Sequence, residues 1–113
     1  MRNIKNIDGV VVPKAHAPNS NTAAVISVPA ALVNRPTIAK VWGGYNTTPT
    51  GGSLTIEMTV GGTTVTLAAP VVEAGLFNVD FVPPIQGDLN SALTITLAAG
   101  GAGVSGKINA LTQ

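Results

Sequence analysis

Residues 53–69 have the sequence SLTIEMTVGGTTVTLAA, and this stretch decides the fold class. Its first half alternates four apolar residues with polar ones: Leu54, Ile56, Met58 and Val60. A two-residue period is typical of a β-strand with one buried face. Gly61-Gly62 then interrupts the alternation, and glycine is favoured in the two-residue turn of a β-hairpin. The stretch therefore predicts two antiparallel strands joined by a tight turn.

The position of this turn determines the register of the hairpin. With Gly61 and Gly62 in the turn, four pairs share the apolar face: Val60 with Thr63, Met58 with Val65, Ile56 with Leu67, and Leu54 with Ala69. On the opposite, polar face the pairs are Glu57 with Thr66 and Thr59 with Thr64. We expect the apolar face to lie in a core and the polar face to contact solvent.

The rest of the chain also consists of short β-rich runs separated by Gly, Pro and Asn. Residues 22–28 and 37–45 each predict one strand. Residues 77–81 predict another, which ends at Pro83-Pro84 because proline cannot donate to a strand ladder. Residues 91–110 predict a second hairpin around a glycine-rich loop. Its inward residues are Leu93, Ile95, Leu97, Val104 and Ile108.

These strands predict an all-β, antiparallel β-sandwich over residues 22–113. A jelly-roll topology is favoured, and an immunoglobulin-like topology is the alternative. Residues 1–21 lack a strand or helix periodicity, which predicts an extended N-terminal arm. We predict that its valines bind a partner by adding a strand to an open sheet edge: Val10, Val11 and Val12. If the arm instead pairs within its own molecule, it supplies an eighth strand.

The charge of the chain restricts its partners. Charged residues make up only 10% of the sequence, the formal net charge is +1, and the six basic residues are scattered. Such a chain attracts phosphate weakly, so we expect no nucleic-acid partner. A weakly charged surface suits a protein that its neighbours cover, which favours a homo-oligomer, a trimer before a dimer.

The sequence also lacks the signals of a membrane or secreted protein. The longest apolar run, residues 23–33, is too short to cross a bilayer. The N-terminus has no apolar region typical of a signal peptide. We therefore expect no membrane segment and synthesis in the cytoplasm.

Residues suited to catalysis are sparse. The chain has no cysteine and a single histidine, His16, so neither a histidine-rich metal cluster nor a Ser-His-Asp triad is expected. Glu57 and Asp80 lie on predicted outward strand faces, where a solvated carboxylate is a simpler interpretation than a catalytic pair. The glycine-rich segments join strand to strand, unlike phosphate loops. We predict no enzyme activity, no catalytic residue, no metal and no cofactor.

Trp42 and Tyr45 are the only large aromatic residues with polar tips. If both are exposed, they can stack on a ligand such as a sugar ring, which would make the chain a carbohydrate-binding module. The other interpretation places Trp42 in the core or beneath the loop 46–52, because a domain with so few aromatic residues tends to bury them.

Three stretches resemble a known group of proteins: residues 51–58 (GGSLTIEM), 77–84 (FNVDFVPP) and 91–109 (SALTITLAAGGAGVSGKIN). They are similar to the small β-sandwich virion proteins of tailed bacteriophages, which decorate capsids or line parts of the tail. The similarity lies in strands and turns, so it carries over no functional residue.

This resemblance implies a capsid decoration or cement protein. Such a protein binds the major capsid protein on the capsid exterior and stabilises its lattice, after synthesis in the host cytoplasm. A tail or fibre component is the second hypothesis, and a carbohydrate-binding β-sandwich module is the third.

Overall fold

The computed structural model describes residues 12–112, and all of their regular secondary structure is β-strand. The strands are β1 (Val12–His16), β2 (Ala24–Val28), β3 (Thr37–Tyr45), β4 (Ser53–Val60), β5 (Thr63–Pro70), β6 (Gly75–Gln86), β7 (Leu93–Leu97) and β8 (Gly106–Thr112). The predicted all-β class is therefore confirmed.

The strands form two antiparallel sheets that pack face to face. Sheet 1 has the order β1-β8-β3-β6, and sheet 2 has the order β2-β7-β4-β5. Among these eight strands, only β4 and β5 are both consecutive in sequence and adjacent in one sheet. Every other connection crosses between the sheets. This order is that of a jelly roll, so the favoured topology is confirmed over the immunoglobulin-like one.

The hairpin of β4 and β5 has the predicted register. Val60 pairs with Thr63, Met58 with Val65, Ile56 with Leu67 and Leu54 with Ala69. The burial of the two strands differs, however. Leu54, Ile56 and Met58 are buried, whereas Val60 and all eight residues of β5 are exposed. The expectation of a buried apolar face is therefore right for the first three inward residues of β4 and wrong for Val60 and for β5.

The turn of this hairpin is held from outside the hairpin. Gly61 and Gly62 have φ angles of 62° and 79°, the left-handed region that glycine adopts without strain. The Asp88 carboxylate accepts hydrogen bonds from the Gly61 N–H (2.8 Å) and the Gly62 N–H (2.7 Å). These bonds, that from Gly62 first, lower the pKa of Asp88.

The second predicted hairpin does not form. β7 lies in sheet 2 between β2 and β4, and β8 lies in sheet 1 between β1 and β3. Each is an inner strand with a hydrogen-bonded neighbour on both sides, whereas a separate hairpin would give each strand only one neighbour. The predicted inward residues are nevertheless all buried: Leu93, Ile95, Leu97, Val104 and Ile108.

The strand β6 continues through Pro83-Pro84 to Gln86, so the predicted end of this strand is wrong. β6 is an outer strand, where a residue without an N–H is tolerated. Its pairing with β3 is also irregular there: Lys40 pairs with Asp80, but Ile38 pairs with Ile85. The intervening residues of β6 therefore bulge opposite a single residue of β3.

Part of the predicted arm belongs to the sandwich. Residues 12–16 form β1 and pair along their whole length with β8, from Val12 with Thr112 to His16 with Ile108. This is the eighth strand that the sequence leaves open, and it covers the outer side of β8. Among the predicted partner-binding residues, Val12 therefore lies in a sheet, whereas Val10 and Val11 lie outside the described residues.

Candidate binding surfaces

The first candidate surface is the side of the sandwich where β5 and β6 are the outer strands, here called the open side. In β5, Val65 and Leu67 alternate toward the interior, yet they are 37% and 45% exposed. Across from them, Phe77, Val79 and Phe81 of β6 are only partly buried against the core. Apolar groups on both sheets thus remain in contact with solvent.

Between these strands lies an apolar cleft of about 150 Å³. Its lining consists of Leu54, Ile56, Leu67, Ala68, Ala69, Val79 and Phe81. None of these described lining residues carries a charged or hydrogen-bonding side chain. The cleft is therefore suited to apolar side chains of another molecule and not to the polar groups of a substrate.

The free edge of β5 adds backbone groups to this surface. β5 has no strand on its outer side within residues 12–112. Its sequence, TTVTLAAP, contains no charged residue, and its proline is the last residue. Natural edge strands usually carry charges, prolines or bulges that block further pairing. Without them, β5 can accept an extended segment of another chain.

The outer edge of β2, on the other side of sheet 2, makes a hydrogen bond to sheet 1, unlike the edge of β5. The Val25 N–H donates a hydrogen bond to Nδ1 of His16 at 2.9 Å. The single histidine of the chain thus links β1 of sheet 1 to β2 of sheet 2. This contact gives His16 a structural position.

The second candidate surface lies on the outward face of sheet 1 around Trp42. Strand pairing places Trp42 between Asn109 of β8 and Asn78 of β6. Two residues further along β3, and therefore on the same face, Gly44 lies between Lys107 and Leu76. A depression of about 540 Å³, here called the Trp42 depression, is bordered by Trp42, Gly44, Leu76, Lys107, Asn109 and neighbouring loop residues.

The Trp42 ring also contacts a charged side chain, which is paired with a carboxylate. The Lys40 Nζ lies 5.4 Å from the centre of the ring, a cation–π distance. The same Nζ lies 4.0 Å from Oδ1 of Asp80. Both charged side chains lie outside the lining of the depression. Trp42 itself is part of that lining, so the ring borders the depression and also contacts Lys40.

Tyr45 also borders the depression, but its side chain is directed into the core. Its side chain is 3% exposed and belongs to the core cluster. The hydroxyl donates a hydrogen bond to the Ala98 carbonyl oxygen at 2.5 Å, and burial raises the pKa of Tyr45. The residue is therefore unavailable for stacking on a ligand, and only Trp42 of the predicted pair remains a candidate.

Features of a metal site or a membrane span are not found in the described part of the chain. Residues 12–112 contain no group of three His, Asp or Glu side chains close enough to hold a metal ion. They also contain no helix of the length and hydropathy that crosses a bilayer. Asp80 and Glu57 lie on the outer faces of different sheets, so they form no catalytic pair.

Comparisons with known proteins add little to this description. No protein-family model matches the chain, and no curated protein matches it. Among solved structures, the crystal structure of PirA is similar with 10% sequence identity and a TM-score of 0.44. The match covers 98% of this chain and 100% of that chain. A similarity at this level supports no functional argument.

Proposed function

We propose that this chain is a structural virion protein of a tailed bacteriophage, a decoration or cement protein that binds the major capsid protein on the capsid exterior. The observation that carries the proposal is the open side. Its apolar cleft and uncharged strand edge fit a segment of another protein chain. The resemblance of the strand and turn sequences to tailed-phage virion proteins directs the choice of partner.

The physical properties of the open side suit repeated docking on a lattice. Apolar area removed from water stabilises a complex by about 25 cal/mol per Å². The free edge of β5 adds directional backbone hydrogen bonds. A modest interface of this kind holds a subunit firmly when many copies bind one shell and each copy touches several neighbours. The low charge of the chain limits the cost of desolvation in such contacts.

The proposal includes a homo-oligomer, with a trimer favoured. A trimer at a symmetry axis of the shell presents three open sides to three surrounding capsid subunits. Native mass spectrometry of the purified chain and of the chain released from shells measures this directly. A chain that is monomeric in both samples contradicts the trimer and leaves the docking surface as a separate question.

The docking is tested by adding the purified chain to capsid shells that lack it, built from the major capsid protein of the same phage. Sedimentation measures the bound copies, and a thermal melt measures the stability of the shell. We expect saturable binding and a higher melting temperature of the shell. Absence of binding, or binding without any gain in shell stability, contradicts a cement function.

A matched pair of variants locates the contact. Leu67→Lys places a charge at the mouth of the apolar cleft, and we expect it to weaken binding at least about tenfold, because an unpaired charge at a docked apolar surface is costly. Leu32→Lys changes a leucine that is more exposed (79%, against 45% for Leu67), in the loop between β2 and β3 and outside the cleft, and is the control. Equal binding of both variants contradicts docking at the open side. Unfolding curves of both variants show whether they remain folded.

A further inference from the structure

The Trp42 depression is formed by a missing side chain. On the outward face of sheet 1, Gly44 stands between Lys107 of β8 and Leu76 of β6. A Cβ at position 44 would collide with the Gly75 carbonyl oxygen, so the backbone approach of β3 to β6 requires glycine here. The resulting gap has Trp42 on one side and a floor of backbone.

Leu76 forms an apolar part of the rim. Its side chain is 92% exposed, the highest value among the large hydrophobic side chains of residues 12–112. Leu76 lies in the row next to Trp42 on the same face of the sheet. A ligand that covers both residues removes apolar surface from water at two neighbouring points.

Polar groups complete the rim. Asn109 lies beside Trp42, and its side-chain nitrogen is 3.5 Å from the Trp42 carbonyl oxygen. Asn46 and Ser105 lie at the end of the depression, where Oδ1 of Asn46 accepts the Ser105 N–H at 2.8 Å. Among the described lining residues, Lys107 carries the only charge. The site thus offers amide and hydroxyl groups, one cation and no carboxylate.

From this arrangement we infer that the Trp42 depression binds a saccharide, and that it prefers a carboxylated sugar to a neutral one. A pyranose ring has a face of C–H groups, which packs on an aromatic ring, and hydroxyl groups at its edge, which bond to amides. The Lys107 ammonium favours a sugar carboxylate at the rim. The inference is independent of the proposed capsid contact, because that contact uses the apolar cleft and the β5 edge of the open side, whereas the Trp42 depression lies on the outward face of sheet 1.

The composition of the rim disfavours a nucleic acid in this position. A polynucleotide requires several cations along its backbone, and the described lining provides one. The Lys40 ammonium next to the Trp42 ring is paired with Asp80, so the two charges are neutral overall and add no net positive charge for a phosphate backbone. A neutral or singly charged ligand of the size of one or two sugar rings fits this surface better.

The test uses the full chain and the fluorescence of Trp42, the only tryptophan in the sequence. The probes are the hyaluronan disaccharide, which contains one glucuronate, and neutral N,N′-diacetylchitobiose. We expect a saturable change in emission with both sugars. The dissociation constant for the glucuronate sugar is expected to be roughly two- to fivefold lower, the range of one exposed ion pair. No saturable change with either sugar at its solubility limit overturns the inference.

Four variants assign the binding to the depression. Leu76→Ala is expected to weaken binding of both sugars at least about threefold, because it removes an apolar contact, whereas Leu32→Ala changes another exposed leucine and is expected to bind normally. Lys107→Gln is expected to abolish the preference for glucuronate and keep neutral binding. Lys14→Gln, on β1 outside the depression, is expected to keep the preference.

Three outcomes overturn the assignment even if the chain binds sugar. Unchanged binding in Leu76→Ala places the sugar elsewhere. An equal affinity of the wild-type chain for both sugars, or a preference that survives Lys107→Gln, removes the assigned role of Lys107. Melting curves of Leu76→Ala and Lys107→Gln serve as a folding control, and both are expected to match the wild type because both side chains are exposed.

Discussion

The two outer strands of sheet 2 have similar alternating sequences and opposite burial. In β2, Ala24, Ile26 and Val28 are buried, whereas in β5 the inward Val65 and Leu67 remain exposed to solvent. β2 is packed against β1 and β8 of the facing sheet, and its edge is bonded to His16. Alternation therefore specifies which face of a strand is apolar, while the surrounding strands decide whether that face is covered.

The largest expected difference is between truncating a side chain of the closed core and truncating one of the open side. Ile95 of β7 is fully buried, so Ile95→Ala is expected to lower the free energy of unfolding by about 2–5 kcal/mol. Leu67→Ala on the open side is expected to cost at most about 1 kcal/mol, because Leu67 is already 45% exposed. Urea unfolding of both variants measures the difference. Similar losses would show that the open side is closed in solution.

A smaller effect is expected from removing the strand that covers β8. A chain that begins at Ala17 lacks β1 and its contact from His16 to β2, whereas a chain that begins at Val12 keeps both. We expect the shorter chain to lose about 2 kcal/mol relative to the longer one, the net value of a few backbone hydrogen bonds. Equal melting temperatures of the two truncated chains would show that β1 does not stabilise the sandwich.

A substitution in the turn between β4 and β5 tests the energetic cost of backbone strain without a change in packing. A Cβ at position 62 would meet no atom within 4 Å, so the cost of Gly62→Val comes from its positive φ, about 1–3 kcal/mol. Thr64→Val, on the solvent face of β5, is expected to change stability by less than about 0.5 kcal/mol. The reverse order of melting temperatures would mean that the turn and the register lie elsewhere.

The smallest expected effect is the pH dependence of the same turn. The bonds from Gly62 and Gly61 lower the pKa of Asp88 in the folded chain. The stabilisation is therefore present above the unfolded pKa, about 4, and is lost as the pH falls through the folded value. We expect the amide resonances of Gly61 and Gly62 to titrate with a midpoint below about 4. The same resonances in Asp88→Asn should show no such titration, and a midpoint above the ordinary carboxyl value contradicts the clamp.

The parts of the fold that were predictable from sequence depend on neighbouring residues. The register of β4 and β5 follows from the alternation beside Gly61-Gly62, and the buried faces of β7 and β8 follow from their own alternation. The pairing of β7 and β8 with strands of different sheets does not, because it depends on partners far along the chain. The continuation of β6 through its prolines likewise depends on its outer position in the sheet.

The candidate sites were predictable only in part, for the same reason. Trp42 is a visible candidate as the single tryptophan, but its neighbours Asn109, Lys107 and Leu76 come from other strands and form no local motif. The prediction that Trp42 and Tyr45 could stack on one ligand was avoidable. Residues three apart in a strand point to opposite faces, so one strand places Trp42 outward and Tyr45 in the core.

Hydrogen–deuterium exchange of the chain, free and bound to capsid shells, tests the central claim most directly. Exchange rates are compared for peptides that cover residues 63–70 of β5 and residues 24–28 of β2. We expect docking to slow the exchange of β5 strongly and to leave β2 nearly unchanged, because the edge of β5 has no strand partner within residues 12–112 and borders the apolar cleft, whereas the Val25 N–H of β2 is already bonded to His16. Slower exchange in β2, with β5 unchanged on the shell, would contradict the open side as the docking surface.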